Sequence, residues 1–159
     1  MNVDLKLIKG STRLALPDDD GYLFRIGVAL YSFNSINSFL IEIITHLDPA
    51  ASSIKLHELT SGKVLIQFRE AVKKWTGVSI SEPAIRVDKE FERLNVERTD
   101  FVHSYPITNG AHLQILHRRI EKLNKYFEVT SDFLDDFIRS TSEISDALYE
   151  IRSIAKPDL

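Results

Sequence analysis

The sequence predicts an all-α domain: an antiparallel up-and-down bundle of four helices with a long C-terminal helix. A small β-hairpin near residues 105–116 and an extended N-terminal arm complete the expectation. Three observations carry it. Apolar residues recur at steps of three and four through four separate segments, the spacing that keeps one face of a helix dry. Short stretches rich in proline, glycine, aspartate and serine punctuate those segments. From Leu116 to Ala155 the chain contains neither glycine nor proline. The 159 residues read as one domain, with its core over about 20–155, large enough to fold without a staple.

Residues 1–17 alternate weakly through Val3, Leu5, Leu7, Leu14 and Leu16, around "KGSTR", which suits a short hairpin or an ordered arm. "PDDDG" comes next, and its aspartates suit a helix N-cap and the positive end of the helix dipole. The first helix is expected from about Tyr22 to Leu47, on Leu23, Ile26, Leu30, Phe33, Leu40, Ile44 and Leu47. Ile36, Phe39 and Ile43 widen the stripe, and Asn37 interrupts it. Asp48 ends the helix, because a residue before proline is pushed out of helical geometry.

A second helix is expected over about Ser61–Trp75, with Leu65, Phe68, Val72 and Trp75 on one face and Thr76-Gly77 closing it. After the polar connector "VSISEP", Pro83 suits a helix start, and a third helix runs over about Ala84–Ser104 until Pro106 stops it. Asn109-Gly110 is a strong short hairpin signal. Beyond it, Leu116, Ile120, Leu123, Phe127, Thr130, Leu134, Phe137, Thr141, Ile144, Leu148, Ile151 and Ala155 step by fours and threes. This reads as one helix of about 38 residues, or as two broken near Thr130-Ser131. At 1.5 Å per residue the single helix would span about 57 Å, so its end would overhang or pack on a second copy. A homodimer is therefore expected, unless Ser140-Thr141 mark a bend.

Composition excludes several functions. There are no cysteines, which removes disulfides, thiol catalysis and cysteine-held metals. The opening residues, with Asp4 among them, show no signal-peptide pattern, and "FLIEII" is far short of a membrane span. A cytoplasmic protein with no membrane partner is the expectation. A net charge of −3 gives no global attraction for nucleic acid, so any such binding needs a local basic patch. The "SGK" at 61–63 lacks the other glycine of a phosphate loop, and "HEL" at 57–59 lacks a second histidine four residues after the first. Glu42 and His46 stand one turn apart, but with no further ligands in sight a hydrogen-bonded pair is favoured over a metal site. No metal and no cofactor are expected.

One substitution of the pattern stands out. The third helix's seam is Val87, Phe91, Leu94, then Phe101, and the position between the last two holds Arg98. An unpaired cation there costs several kcal/mol, so it must meet carboxylates, water or an anionic ligand. His103 stands five residues on, about 140° around a helix. The pair is either a satisfied arginine with a capping histidine, or a polar site at the helix end. The basic run His112, His117, Arg118, Arg119, Lys122 and Lys125 comes after it, either tracking a phosphate backbone or forming the solvated first turns of the last helix.

The stretch "ERTDFVHSYPITNGAHLQILHRR" resembles the signature of the HEPN (higher eukaryotes and prokaryotes nucleotide-binding) superfamily. Its members are helical bundles, often dimeric, whose motif is an arginine, a polar residue, and a histidine four to six positions on. Arg98 and His103 match, and Thr99 stands where Asn or Asp is common. The resemblance implies a metal-independent endoribonuclease in a toxin–antitoxin or phage-defence setting. Arg98 and His103 would be the catalytic pair, with Asp100 or Thr99 orienting them. Tyr105, His117, Arg118, Arg119 and Lys122 would contact RNA. Histidine suits proton transfer near neutral pH, and arginine offers a planar fork of donors to a phosphate. The alternative is a non-enzymatic dimeric module, a scaffold or toxin-neutralising partner, binding another helix through the stripe of Leu116–Ala155.

Overall fold

A computed structural model describes residues 5–12 and 16–157. It is mostly helical, with a small three-stranded antiparallel sheet, so the all-α expectation holds only in part. The first element is helix α1 (Leu5–Gly10) rather than an extended arm. Leu7 and Ile8 are 69% and 56% exposed, so the alternation found no sheet face to bury and local helix geometry prevailed. Val3 and Leu14, which completed that alternation, lie outside the described residues. Lys9 ties α1 to the start of the next helix, pairing with Asp20 at 2.6 Å.

Helix α2 (Asp20–Leu47) starts at Asp19, whose side chain accepts from the Tyr22 N–H at 3.0 Å, and ends at Asp48 in extended geometry. Both ends agree with the sequence. This helix is long and apolar enough to cross a membrane by length and composition. Here Phe33, Leu40, Ile43, Ile44 and their buried neighbours pack against other helices of the chain. A short helix α3 (Ser53–His57) precedes α4 (Ser61–Lys74). Gly77 does not end α4 in left-handed geometry: its φ is not positive. The Trp75 indole lies over it instead, donating to the Val78 carbonyl at 2.8 Å. Helix α5 (Ser81–Val102) begins two residues before Pro83 and ends at His103, so Pro106 falls beyond it.

Side-chain pairings fix the directions of the long helices. Helix α6 (Ser131–Ala155) runs parallel to α2, since Arg25 meets Asp135 at 2.8 Å and Glu42 meets Arg152 at 3.4 Å. Helix α5 runs against both α6 and α4. Phe101 lies by Phe137 and Arg93 by Ser140, while Arg69 reaches Asp88 at 2.7 Å. Lys74 meets Asp48 at 2.8 Å, which brings the C-terminal ends of α2 and α4 together. Three long helices therefore run one way and α5 the other. The expected up-and-down order fails because residues 48–60 carry the chain back before α4 begins. Phe33 packs on Phe91 and Phe137 at the centre, and these rings and Phe68 are fully buried.

Between α5 and α6 the chain forms β1 (Tyr105–Thr108), β2 (Gln114–Ile120) and β3 (Lys125–Val129), in that order in the sheet. The expected hairpin is there, with Asn109 Oδ1 accepting from the N–H groups of Ala111 and Leu113. The expected single helix from Leu116 is not. Its first third is strand, joined by a 3₁₀ turn (Glu121–Leu123) and Asn124 at φ 45°. Helix α6 starts where the alternative break was expected: Thr130 caps it, its hydroxyl accepting from the Phe133 N–H at 3.1 Å. The overhang, and the case for a dimer that rested on it, disappear. Tyr22 anchors the sheet to α2, its hydroxyl donating to the Val129 carbonyl at 2.8 Å and accepting from the Leu116 N–H at 2.9 Å. Burial raises the pKa of this phenol, against the smaller lowering effect of the Leu116 bond.

Candidate functional site

Arg98 occupies the inward seam of α5, among buried Phe91, Leu94 and Phe101. Its guanidinium lies over the Phe33 ring, 5.6 Å from the centroid. Among the described residues no carboxylate pairs with it and no group hydrogen-bonds to it. Its neighbours on the same helix differ: Arg93 is held by Glu90 and Glu97, and Arg86 by Glu150. Arg98 is thus a half-buried cation with five free donors, positioned by packing and by a ring face rather than by a counter-charge.

His103 is the C-terminal cap of α5, exposed, with its backbone N–H on the Thr99 carbonyl at 3.3 Å. Its imidazole has no partner among the described residues, and no contact joins it to Arg98. The two supposed orienting residues are engaged elsewhere. Thr99 donates its hydroxyl back to the Asn95 carbonyl at 2.8 Å. Asp100 is 7% exposed and accepts from Arg118 at 2.7 Å and from Lys125. It lies about 200° around the helix from Arg98, so it clasps the sheet to α5 rather than touching either motif residue.

The residues expected to meet RNA divide between the two faces of the sheet. Paired residues share a face and adjacent ones alternate. Tyr105 faces His117 and His117 faces Glu128 across the ladder. The Tyr105 hydroxyl and His117 Nε2 are 2.8 Å apart. Tyr126 lies beside the same imidazole, with centroids 5.0 Å apart, and donates to Glu128 at 2.5 Å. That bond is the main reason the Tyr126 pKa is raised, with burial adding to it. His117 is 6% exposed and its Nδ1 is buried without a partner. Arg119 shares this face and is exposed, held loosely by Glu121 at 3.7 Å. Arg118 points the other way, to Asp100 and the Thr99 carbonyl. Lys122 is exposed on the 3₁₀ turn. Sequence reasoning missed Tyr126 and Glu128. The signal was the alternation His117/Arg119 and Tyr126/Glu128, hidden by reading these residues as helix.

Among the described residues no group of three or more histidines and carboxylates is placed to hold a metal. Glu42 and His46 meet at 3.3 Å, and Arg152 also reaches the Glu42 carboxylate. A cleft of about 560 Å³ lies between the starts of α2 and α6 and the hairpin tip, and neither Arg98 nor His103 lines it. Comparison with known proteins gives no match to any family model, curated protein or solved structure.

Proposed function

We propose that this chain is an HEPN-like, metal-independent endoribonuclease, cytoplasmic and homodimeric, acting in a toxin–antitoxin or phage-defence setting. The reading takes the four long helices as an HEPN-type bundle with Arg98 and His103 as its catalytic pair. The observation that carries it is the Arg98 guanidinium, kept on an apolar seam over Phe33 with no carboxylate among the described residues. A structural arginine there would be expected to have a counter-charge, as Arg93 and Arg86 do. A phosphate diester would supply one.

In this reading His103 takes the proton of an RNA 2′-hydroxyl. The oxygen attacks the adjacent phosphorus, and the 5′-oxygen leaves after gaining a proton from a second imidazole, that of a second copy's motif. Arg98 offsets the charge on the phosphate oxygens as it grows. The products are a 2′,3′-cyclic phosphate and a 5′-hydroxyl.

Incubation of the purified chain with mixed RNA in EDTA tests this. Wild type is expected to release cyclic-phosphate ends. His103→Ala should lower the rate by about 10²–10⁴-fold and Arg98→Ala by about 10²–10³-fold. Equal RNA profiles from wild type and His103→Ala would end the reading. The non-enzymatic alternative loses its main support, because the stripe of α6 is used within the chain: Leu134, Phe137, Ile144, Leu148 and Ile151 are buried.

A further inference from the structure

The outer face of the sheet carries more than the motif explains. Tyr105 on β1 faces His117 on β2, and Tyr126 on β3, two residues before Glu128, lies diagonally against the same imidazole, so the three rings form a slanted row. The two tyrosines are 49% and 61% exposed, and the imidazole between them is buried by their rings. The rings meet at 80° and 48°, edge-on or tilted, so neither tyrosine has its plane covered by a parallel neighbour. Both phenols are oriented by hydrogen bonds, Tyr105 on His117 and Tyr126 on Glu128. Orientation of a side chain before contact lowers the entropy lost on binding. Buried ring nitrogens normally have a partner, and His117 Nδ1 does not. Arg119 and Lys122 stand exposed beside these rings, Lys122 with no partner among the described residues and Arg119 met only loosely by Glu121 at 3.7 Å. Aromatic planes beside exposed cations match a nucleic acid with unpaired bases. A duplex would hide the base faces, and an aliphatic peptide would have no use for the cations.

We infer that this face is a platform for single-stranded RNA, stacking bases on Tyr105 and Tyr126 while Arg119 and Lys122 meet the phosphates. The inference rests on the nuclease reading for its choice of nucleic acid, and it gives that reading a substrate class: unpaired RNA. Tyr105 stands two residues after His103, so a strand laid on the platform enters the site from the sheet side. Glu128 beside Tyr126 repels phosphate, which leaves that ring to a base.

Binding is read by fluorescence anisotropy with the full-length His103→Ala chain, which does not consume its probe. The probes are a fluorescein-labelled ten-nucleotide oligoadenosine and a blunt RNA duplex of equal length. The single strand is expected to bind more tightly than the duplex. Adding Tyr126→Ala should raise its Kd about ten-fold, the loss of one stacked base, while Tyr126→Phe, which keeps the ring and loses only the bond to Glu128, should raise it by less. Arg119→Ala should reduce the slope of log Kd against log salt by about one. An unchanged Kd in Tyr126→Ala, or equal binding of duplex, overturns the platform while cleavage by wild type leaves the nuclease reading standing. Cleavage absent with binding intact does the reverse. Capture of a peptide strand on this face in place of either RNA would also overturn it.

Discussion

Arg98 sits where packing alone would choose leucine, and this has a measurable consequence. Its cation–π contact with Phe33 returns about 0.5–2 kcal/mol. That is less than a well-packed aliphatic side chain would gain at the same place, about 1.5–3 kcal/mol. Arg98→Leu is therefore expected to keep or raise the urea midpoint while lowering RNA cleavage by about 10²–10³-fold. A loss of stability of about 1 kcal/mol or more would mean that the guanidinium is structural. The position itself was legible in the sequence, because a cation on a run of Val87, Phe91, Leu94 and Phe101 breaks the pattern visibly. The roles of Asp100 and Thr99 were not. Asp100 finds its cations 18 and 25 residues further on, in strands. No local spacing announces such partners.

At the scale of elements, the connection between α5 and α6 shows why a periodic reading fails. Leu116, Ile120 and Phe127 fit steps of three and four, yet the same residues also fall on one face of paired strands: Leu116 and Ile120 alternate along β2, and Phe127 faces Arg118 between them. The β-branched and aromatic content of "QILHRRI" and "KYFEV" favours strand, and the left-handed Asn124 needs a break in any helix. The ends of α2 and the start of α6 were legible because Asp19, Asp48 and Thr130 act locally. Gly77 illustrates a residue recognised for the wrong reason. A Cβ there would stand 2.2 Å from the Trp75 ring. Gly77→Ala should displace the indole from the Val78 carbonyl, cost about 1 kcal/mol in stability, and shift the emission of the single tryptophan to longer wavelength. An unmoved spectrum would show that the ring tolerates the methyl.

Across the whole molecule, helix lengths could be read from the sequence but helix directions could not, because a connection as long as residues 48–60 permits either sense. The structure chooses the parallel one for α2 and α4, and the Asp48–Lys74 pair sits at their shared end. The Lys74 hydrogen bond is the main reason the Asp48 carboxyl titrates below its ordinary range, with the Ala50 N–H contributing. A lowered folded-state pKa stabilises the fold above the unfolded pKa, and that contribution is lost as pH falls through the folded value. Asp48→Asn should therefore destabilise the chain at neutral pH and flatten its loss of stability between about pH 5 and pH 2. Urea midpoints measured across that window check it, and parallel curves for wild type and variant would place the α2–α4 alignment on apolar packing alone.

The Tyr22 hydroxyl both gives and receives, joining two adjacent strands to one helix through a single oxygen. Strands β2 and β3 are thereby held by a common rivet, and so are the residues they present, from His117 to Glu128. The row of rings inherits the steadiness of α2, which also carries the Phe33 ring beneath Arg98. A motion that loosened that oxygen would slacken the surface offered to a ligand and its distance from the guanidinium together.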